Sequence, residues 1–431
     1  MAVLDVFASG DKKPARLNMV LDKSFFDKAD ATLADADNLL ATKYRGDFGG
    51  RQPIHTCYVP ADKLTATTPA QWGAIALQTM EEHTPNAKAL ATAVGSDVAG
   101  IEEIFDRIKV KIKTQPIEDL RIDFEDGYGR RGDETEEKDL AAALVAFNEI
   151  KTPFIGIRMK ALEAVTRDRG LKTLDQFIAS IVSNGKYPEN FIITLPKVTF
   201  PEQVDVMVAA LEVIEKAHAL AAGTIRFEIQ IETTQAIMDQ NGSVTAAQYI
   251  DRAKGRLSAF HYGTYDYSAA AGISSAYQTL DHPAADYAKN VLQVATAGTT
   301  VRISDGSTNI LPIGTTAEVH AAMHNHYRLV RRSLERGIYQ GWDLHGSQLP
   351  TRIAANWIFY RDGLSAASLR LRNYLNSAAS GTMDEPATAL TLARYFLRGL
   401  DCGAIESSEI ETLTKLDETG LRDIVLKKGV I

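Results

Sequence analysis

Short apolar runs of six to eight residues alternate with longer amphipathic stretches along most of the chain. The runs are IHTCYVP (54–60), EDLRIDF (118–124), FIGIRMK (154–160), FIITLPKV (191–198), RFEIQIE (226–232), LSAFHYG (257–263), TTVRISD (299–305) and GWDLHG (341–346). Each is short and rich in branched or aromatic residues, as strands are. Between them, EKDLAAALVAFNEI repeats its apolar residues every three or four positions, which is the helical period. PEQVDVMVAALEVIEKAHAL does the same, and its Pro201–Glu202 start suits a helix amino terminus. Strands that alternate with helices predict parallel βαβ units.

The spacing narrows the topology. Polar residues at or near the strand ends are Asp123, Arg158, Lys197, Glu232, Asp266, Ser304 and His345, at intervals of 35, 39, 35, 34, 38 and 41 residues. Eight strands at that cadence predict an α/β TIM barrel, (β/α)₈, with the active site at the carboxyl ends of its strands. A doubly wound open sheet is the rival topology. The cadence breaks over residues 62–117, which predicts an insertion with extra helices after the first strand. We expect the barrel over 51–375, an N-terminal helical extension over 1–50, and a C-terminal helical segment over 376–431 that follows the turn-like SAASGTMDEP.

At 431 residues, 45% hydrophobic and 24% charged, the chain has an ordinary globular composition. A net charge of −8 argues against a nucleic-acid binder. Two cysteines, Cys57 and Cys402, give no disulfide framework, which fits a reducing cytoplasm. The first twenty residues lack the apolar core of a secretion signal. No run approaches the roughly 18 apolar residues of a membrane span, so no membrane partner is expected.

The chemistry gathers at strand ends. Glu232 stops the run FEIQI, and Asp266 follows the next strand in YGTYDYS. Their carboxylates either converge as hard oxygen ligands for Mg²⁺ (or Mn²⁺), or cap the helices that follow, as Thr233 and Thr234 also can. Arg158 ends an apolar strand, where a charge needs a partner. It either pairs with Asp123 or Glu125 or grips a substrate carboxylate or carbonyl through its fork. Lys197 is a Schiff-base nucleophile or, with acids nearby, an ion-paired lysine. Asp123 and Glu125 share a face by strand alternation, and Asp126 is expected to point elsewhere. The acids from Asp133 to Asp139 read as a solvated helix start. His320, His324 and His326 read as a surface helix rather than a zinc site. His345 is a general-base candidate, or a hydrogen-bonded histidine that closes the last strand. No GxxxxGK[ST] loop is present, so phosphoryl transfer is not expected.

Several segments together resemble one family. DFEDGYG resembles the "DLEDAV" or "EDGV" segment of citrate lyase beta-subunit-like proteins, and GIRMK stands where "VRVN" does. TLPKV matches "LPKV", IQIETTQAI resembles "LIETA", and AFHYGTYDYSAAAGI corresponds to "FGxxDLxxDLG". IHTCYVPADK looks like "SxLFVPGDR", and GIYQGWDLHGSQL like "GFxGKxxIHPxQ". In this order, over residues 54–350, they resemble the HpcH/HpaI aldolase, citrate lyase beta and malate synthase superfamily. The chain departs from the pattern at Met159–Lys160, where an asparagine is usual, and at His345–Gly346, where histidine–proline is usual.

The resemblance implies a barrel that binds Mg²⁺ through Glu232 and Asp266 and contacts an oxo or carboxylate group with Arg158. Glu125 would orient water or Arg158. Asp123, Gly263 and Thr264 complete the expected substrate-binding set, with Arg158, Glu125, His345 and Lys197 as the catalytic candidates. The implied reaction is carbon–carbon cleavage or formation next to a carbonyl, in a small oxo acid or a hydroxyacyl coenzyme A thioester. The alternatives are a malate synthase-like condensation, a thioesterase, or a non-catalytic subunit of a lyase complex. A cytoplasmic homo-oligomer is expected.

Overall fold

The computed structural model of the chain describes residues 19–47, 49–183, 185, 187–376 and 386–426. The turn predicted over 377–385 lies outside them. The chain divides into two compact units, Met1–Arg45 and Gly46–Ile431. The first contains the helix Lys23–Thr42, whose amino end is capped by Asp22 accepting from the Phe25 N–H.

The second unit is a (β/α)₈ barrel with helical additions. Its strands are β1 (His55–Pro60), β2 (Asp119–Asp123), β3 (Phe154–Arg158), β4 (Phe191–Leu195), β5 (Arg226–Ile231), β6 (Leu257–Tyr262), β7 (Arg302–Ser304) and β8 (Gly341–Asp343). All pairs are parallel, in the order β7-β6-β5-β4-β3-β2-β1-β8. A parallel bridge between Ser304 and Gln340 joins the outer strands, which excludes the doubly wound sheet. All eight predicted strands are present.

Two apolar layers build the shell. The outward faces of β1 to β6 pack on the surrounding helices, with Phe147, Phe177 and Phe191 in mutual ring contact. A second cluster joins the helices after β1 (Thr68–His83, Ala87–Val94 and Val98–Thr114) to the 27-residue helix Leu349–Leu375 and to the C-terminal helices Pro386–Asp401, Ser407–Thr414 and Glu418–Val425. Among the described residues, no helix is long and apolar enough to cross a membrane.

Two expectations from charge patterning fail for a shared reason. His326 is buried, with Nδ1 2.7 Å from Thr351 Oγ1 and Nε2 3.2 Å from Asp343. Glu136, placed on a solvated helix start, is also buried and pairs with Lys160 and Arg169. Each lies on the inward stripe of an amphipathic helix, where burial forces a polar group to find partners.

The barrel interior is the unusual part. Layers of branched apolar side chains normally fill it, but here charges cross it. Arg121 from β2 donates to Thr194 on β4 at 3.1 Å and to both carboxylate oxygens of Glu228 on β5, at 3.1 and 3.0 Å, and it also pairs with Asp119. His261 on β6 lies 3.0 Å from Glu228 and accepts from Trp342 Nε1 on β8 at 3.0 Å. Burial opposes ionisation of Glu228, yet Arg121 and His261 hold its carboxyl below the usual range. In this polar layer Asp119, Arg121 and Glu228 are ion-paired, and it forms a floor between the two ends of the barrel.

Candidate active site at the carboxyl end of the barrel

Four acids converge above that floor. Glu232 follows β5 and is 4% exposed, and Gly263, just after β6, makes room for it. A Cβ at Gly263 would lie 2.4 Å from Glu232 Cγ, so only glycine fits. Asp266 lies in the first turn of the helix Thr264–Ala270. Carboxylate oxygens of Asp126, Glu232 and Asp266 all lie within 4.8 Å of one another.

Asp126 therefore corrects the sequence reading, which turned it away from the site. Strand alternation ends at Asp123, and Glu125 to Gly127 form a turn in which the period of two no longer holds. Asp123 fixes that turn by accepting from the Glu125 N–H at 2.8 Å and the Gly127 N–H at 2.9 Å.

Lys197 sits among the acids. Its Nζ lies 2.8 Å from both Asp126 and Asp266 and 3.4 Å from Glu125, while its backbone N–H donates to Glu232 at 2.9 Å. A left-handed backbone, with φ of 51°, aims both groups inward, a conformation uncommon outside glycine. Burial disfavours the ammonium, but Glu232 and Glu125 outweigh it and raise its proton affinity. A Schiff-base lysine needs the reverse, so the ion-paired alternative holds. Burial pushes Glu232 up to about 7 and Glu125 up to about 8, while Lys197 offsets the burial of Asp126 and holds it low.

Beside the acids, Arg158 closes a fork on Asp123, with Nε and Nη2 donating at 2.7 and 2.6 Å. Its guanidinium lies over the Tyr58 ring at 4.7 Å, and Nη1 points to Gln230 at 3.4 Å and Glu125 at 3.6 Å. Both oxygens of Asp123 are committed to Arg158 and the turn, so it positions the arginine. Gln230 was not singled out from sequence. It is fully buried with Nε2 lacking an acceptor, a spare donor beside Arg158. The signal was its place two residues before Glu232, on the same strand face.

The remaining expected residues have local partners of their own. Thr264 is buried and donates to the Ser307 carbonyl at 3.0 Å, so its hydroxyl serves the fold. His345 follows β8, and its Nδ1 lies 2.8 Å from Ser347 Oγ and 3.3 Å from the Ser347 N–H. Burial lowers its proton affinity. The backbone contact makes Nδ1 an acceptor and puts the hydrogen on Nε2. Nε2 becomes free to take a proton only if Nδ1 donates to the serine hydroxyl instead. Thr233 caps the short turn after Glu232 by accepting from the Ala236 N–H, leaving Glu232 free of that duty.

Residues 33–428 match the family described as "Domain of unknown function (DUF6986)", and the chain belongs to that family. No curated protein matches the sequence. The fold is similar to a citrate lyase from Burkholderia xenovorans LB400, with a TM-score of 0.57 at 14% identity, covering 86% of this chain and 98% of that one. A CitE protein from Mycobacterium tuberculosis, in complex with magnesium, acetoacetate and coenzyme A, matches at TM-score 0.46 and 16% identity, covering 82% and 99%. A Haloferax volcanii malate synthase, as a magnesium/glyoxylate complex, matches at 0.46 and 13%, covering 88% and 98%.

Proposed function

We propose that this member of the DUF6986 family is a divalent-cation-dependent carbon–carbon lyase or aldolase. It acts next to a carbonyl in a small oxo acid or a hydroxyacyl coenzyme A thioester. One observation carries the reading: Glu125, Asp126 and Asp266 converge on the Lys197 ammonium and Glu232 on its backbone N–H, beside an arginine locked by Asp123. Packing does not require four acids in one place, and the convergence of their hard oxygen donors fits Mg²⁺ or Mn²⁺. Asp126, Glu232 and Asp266 would hold the ion. When bound, it supplies Lewis acidity to a chelated carbonyl.

The chain's own groups do the rest. Arg158 offers fixed positive charge where an enolate or carboxylate develops, and its paired, buried setting means it need not reorganise during reaction. Gln230 Nε2 orients an oxygen of the bound acid next to Arg158. Lys197 holds the acids together and offsets part of their mutual repulsion. In the cleavage direction the proton of a β-hydroxyl leaves to a base, and His345 Nε2 takes it in the tautomer that donates to Ser347.

The test is turnover by the purified protein with Mg²⁺, against hydroxy-oxo acids and malyl-type thioesters, following released pyruvate, glyoxylate or thiol. Cleavage that needs the cation and drops by at least about a hundredfold in both Glu232→Gln and Asp266→Asn is expected. Thiol released only from acetyl coenzyme A plus glyoxylate would replace cleavage by condensation. Cleavage unchanged in both variants would sink the site assignment.

A further inference from the structure

A second cavity, of about 760 Å³, opens at the amino-terminal end of the barrel. Its walls are the residues that enter the strands, including Arg226 at the start of β5, Ser258 in β6 and Arg302 at the start of β7. Its inner surface is the charged floor, where Arg121 pairs with both Asp119 and Glu228.

The rim is not balanced in that way. Arg302 donates to the carbonyls of Gly50 and Arg51 and lies 3.5 Å from Asp47. Asp47 is shared with Arg398 at 3.1 Å, and its backbone carbonyl takes Arg394 at 2.8 Å. Arg226 has no carboxylate within ion-pair distance and no side-chain hydrogen bond among the described residues. Lys151 and Glu189 are exposed and lie in the lining of the same cavity. Burial and the nearby charge of Arg302 hold the proton affinity of Arg226 below that of an ordinary arginine. Burial and Arg398 act in the same direction on Arg302, against Asp47.

A half-buried arginine without a partner, beside a second arginine, destabilises the free protein. An aliphatic side chain of similar length would fill the same space without repulsion. We infer that Arg226 and Arg302 form a binding site for a small dianionic oxyanion, a phosphate monoester or a dicarboxylate, whose remainder occupies the cavity. A dianion neutralises both guanidinium groups at once, whereas a monocarboxylate leaves one. The guanidinium fork matches the oxygen geometry of either group. The volume lies in the range of pockets that hold whole metabolites. Since this mouth is separated from the acid cluster by the paired floor, the ligand acts on the stability of the barrel and not on the reacting atoms.

Thermal unfolding of the full chain, at constant ionic strength and without divalent cations, tests this with inorganic phosphate, malonate and chloride. A saturable rise in the midpoint with phosphate or malonate, absent with chloride, is expected, and the stronger of the two names the oxyanion. Arg226→Gln loses no partner, so without anion it unfolds at the wild-type temperature or above. Its anion affinity falls on the order of ten- to a hundredfold. Arg226→Lys retains part of the response, and Glu232→Gln retains all of it. The inference is overturned by no anion-specific shift, by an unchanged shift in Arg226→Gln, or by a shift lost in Glu232→Gln.

Discussion

The two mouths of the barrel carry opposite imbalances. At the carboxyl end four acids share one lysine; at the amino end Arg302, Arg394 and Arg398 gather around Asp47, and Arg226 stands near Arg302 without a carboxylate of its own. Between them lies a layer in which each buried charge has a partner. The contrast separates two uses of charge in one scaffold. Where groups pair within the protein they hold the fold together, and where one sign is left over the balance has to come from outside.

The largest effect should come from breaking the partition. Arg121→Leu leaves Asp119 and Glu228 buried without their shared cation, and it should lower unfolding free energy in urea by about 3–5 kcal/mol. A loss below about 1 kcal/mol would mean that the layer does not separate the ends. Next is Gly263→Ala, which pushes Glu232 out of place while leaving every charge present. Calorimetric titration with Mn²⁺ should give affinity roughly ten- to a hundredfold weaker; binding within twofold of wild type would remove Glu232 from the cation site.

Smaller effects sharpen the contrast. Lys197→Met removes the cation that joins Asp126 to Asp266, so without divalent ions it should cost about 1 kcal/mol, since the lysine is partly exposed. Millimolar Mg²⁺ should restore the difference, and failure to do so would show that the lysine and the cation are not interchangeable. At the opposite pole, burial pushes the carboxyl of Asp401 up to about 6, from an ordinary 3.8, despite Arg422, Arg51 and Arg302 nearby. The folded protein therefore binds this proton more tightly than the unfolded chain, and stability falls as pH rises from about 4 to 6. Asp401→Asn should be more stable than wild type by about 1 kcal/mol at pH 7.5, after discounting for partial exposure, and equal to it at pH 4. Equal midpoints at both values would show that this acid is well solvated.

The strands were readable because buried parallel strands are short apolar runs, and their ends marked Arg158, Lys197, Glu232 and Asp266. Asp126 is not legible in this way, because strand alternation stops at Asp123 and the next residues form a loop. Glu228 and Gln230 interrupt an apolar run, and that interruption was the trace of a polar barrel interior. Nothing local reveals that Arg121 reaches across two strands to Glu228. The amino-terminal rim left no trace at all, since Arg226, Arg302 and Arg398 meet only once the barrel has closed. The three histidines of HAAMHNH read together as a surface helix, but the helical period sets His326 on the buried stripe with Ala322, Met323 and Leu329.

The barrel's seam has a kinetic meaning. Strands β7 and β8 are three residues long and meet through one bridge, Ser304 to Gln340, with flanking bonds from the Asp305 N–H at 2.8 Å and the Trp342 N–H at 3.3 Å. Every other junction is a ladder of three or more paired positions. The seam is where the cylinder unzips with the fewest bonds broken, so its amides should exchange with solvent deuterium ahead of those in β2 to β5. Arg302 stands at the foot of that seam, where the sheet is held by the fewest bonds.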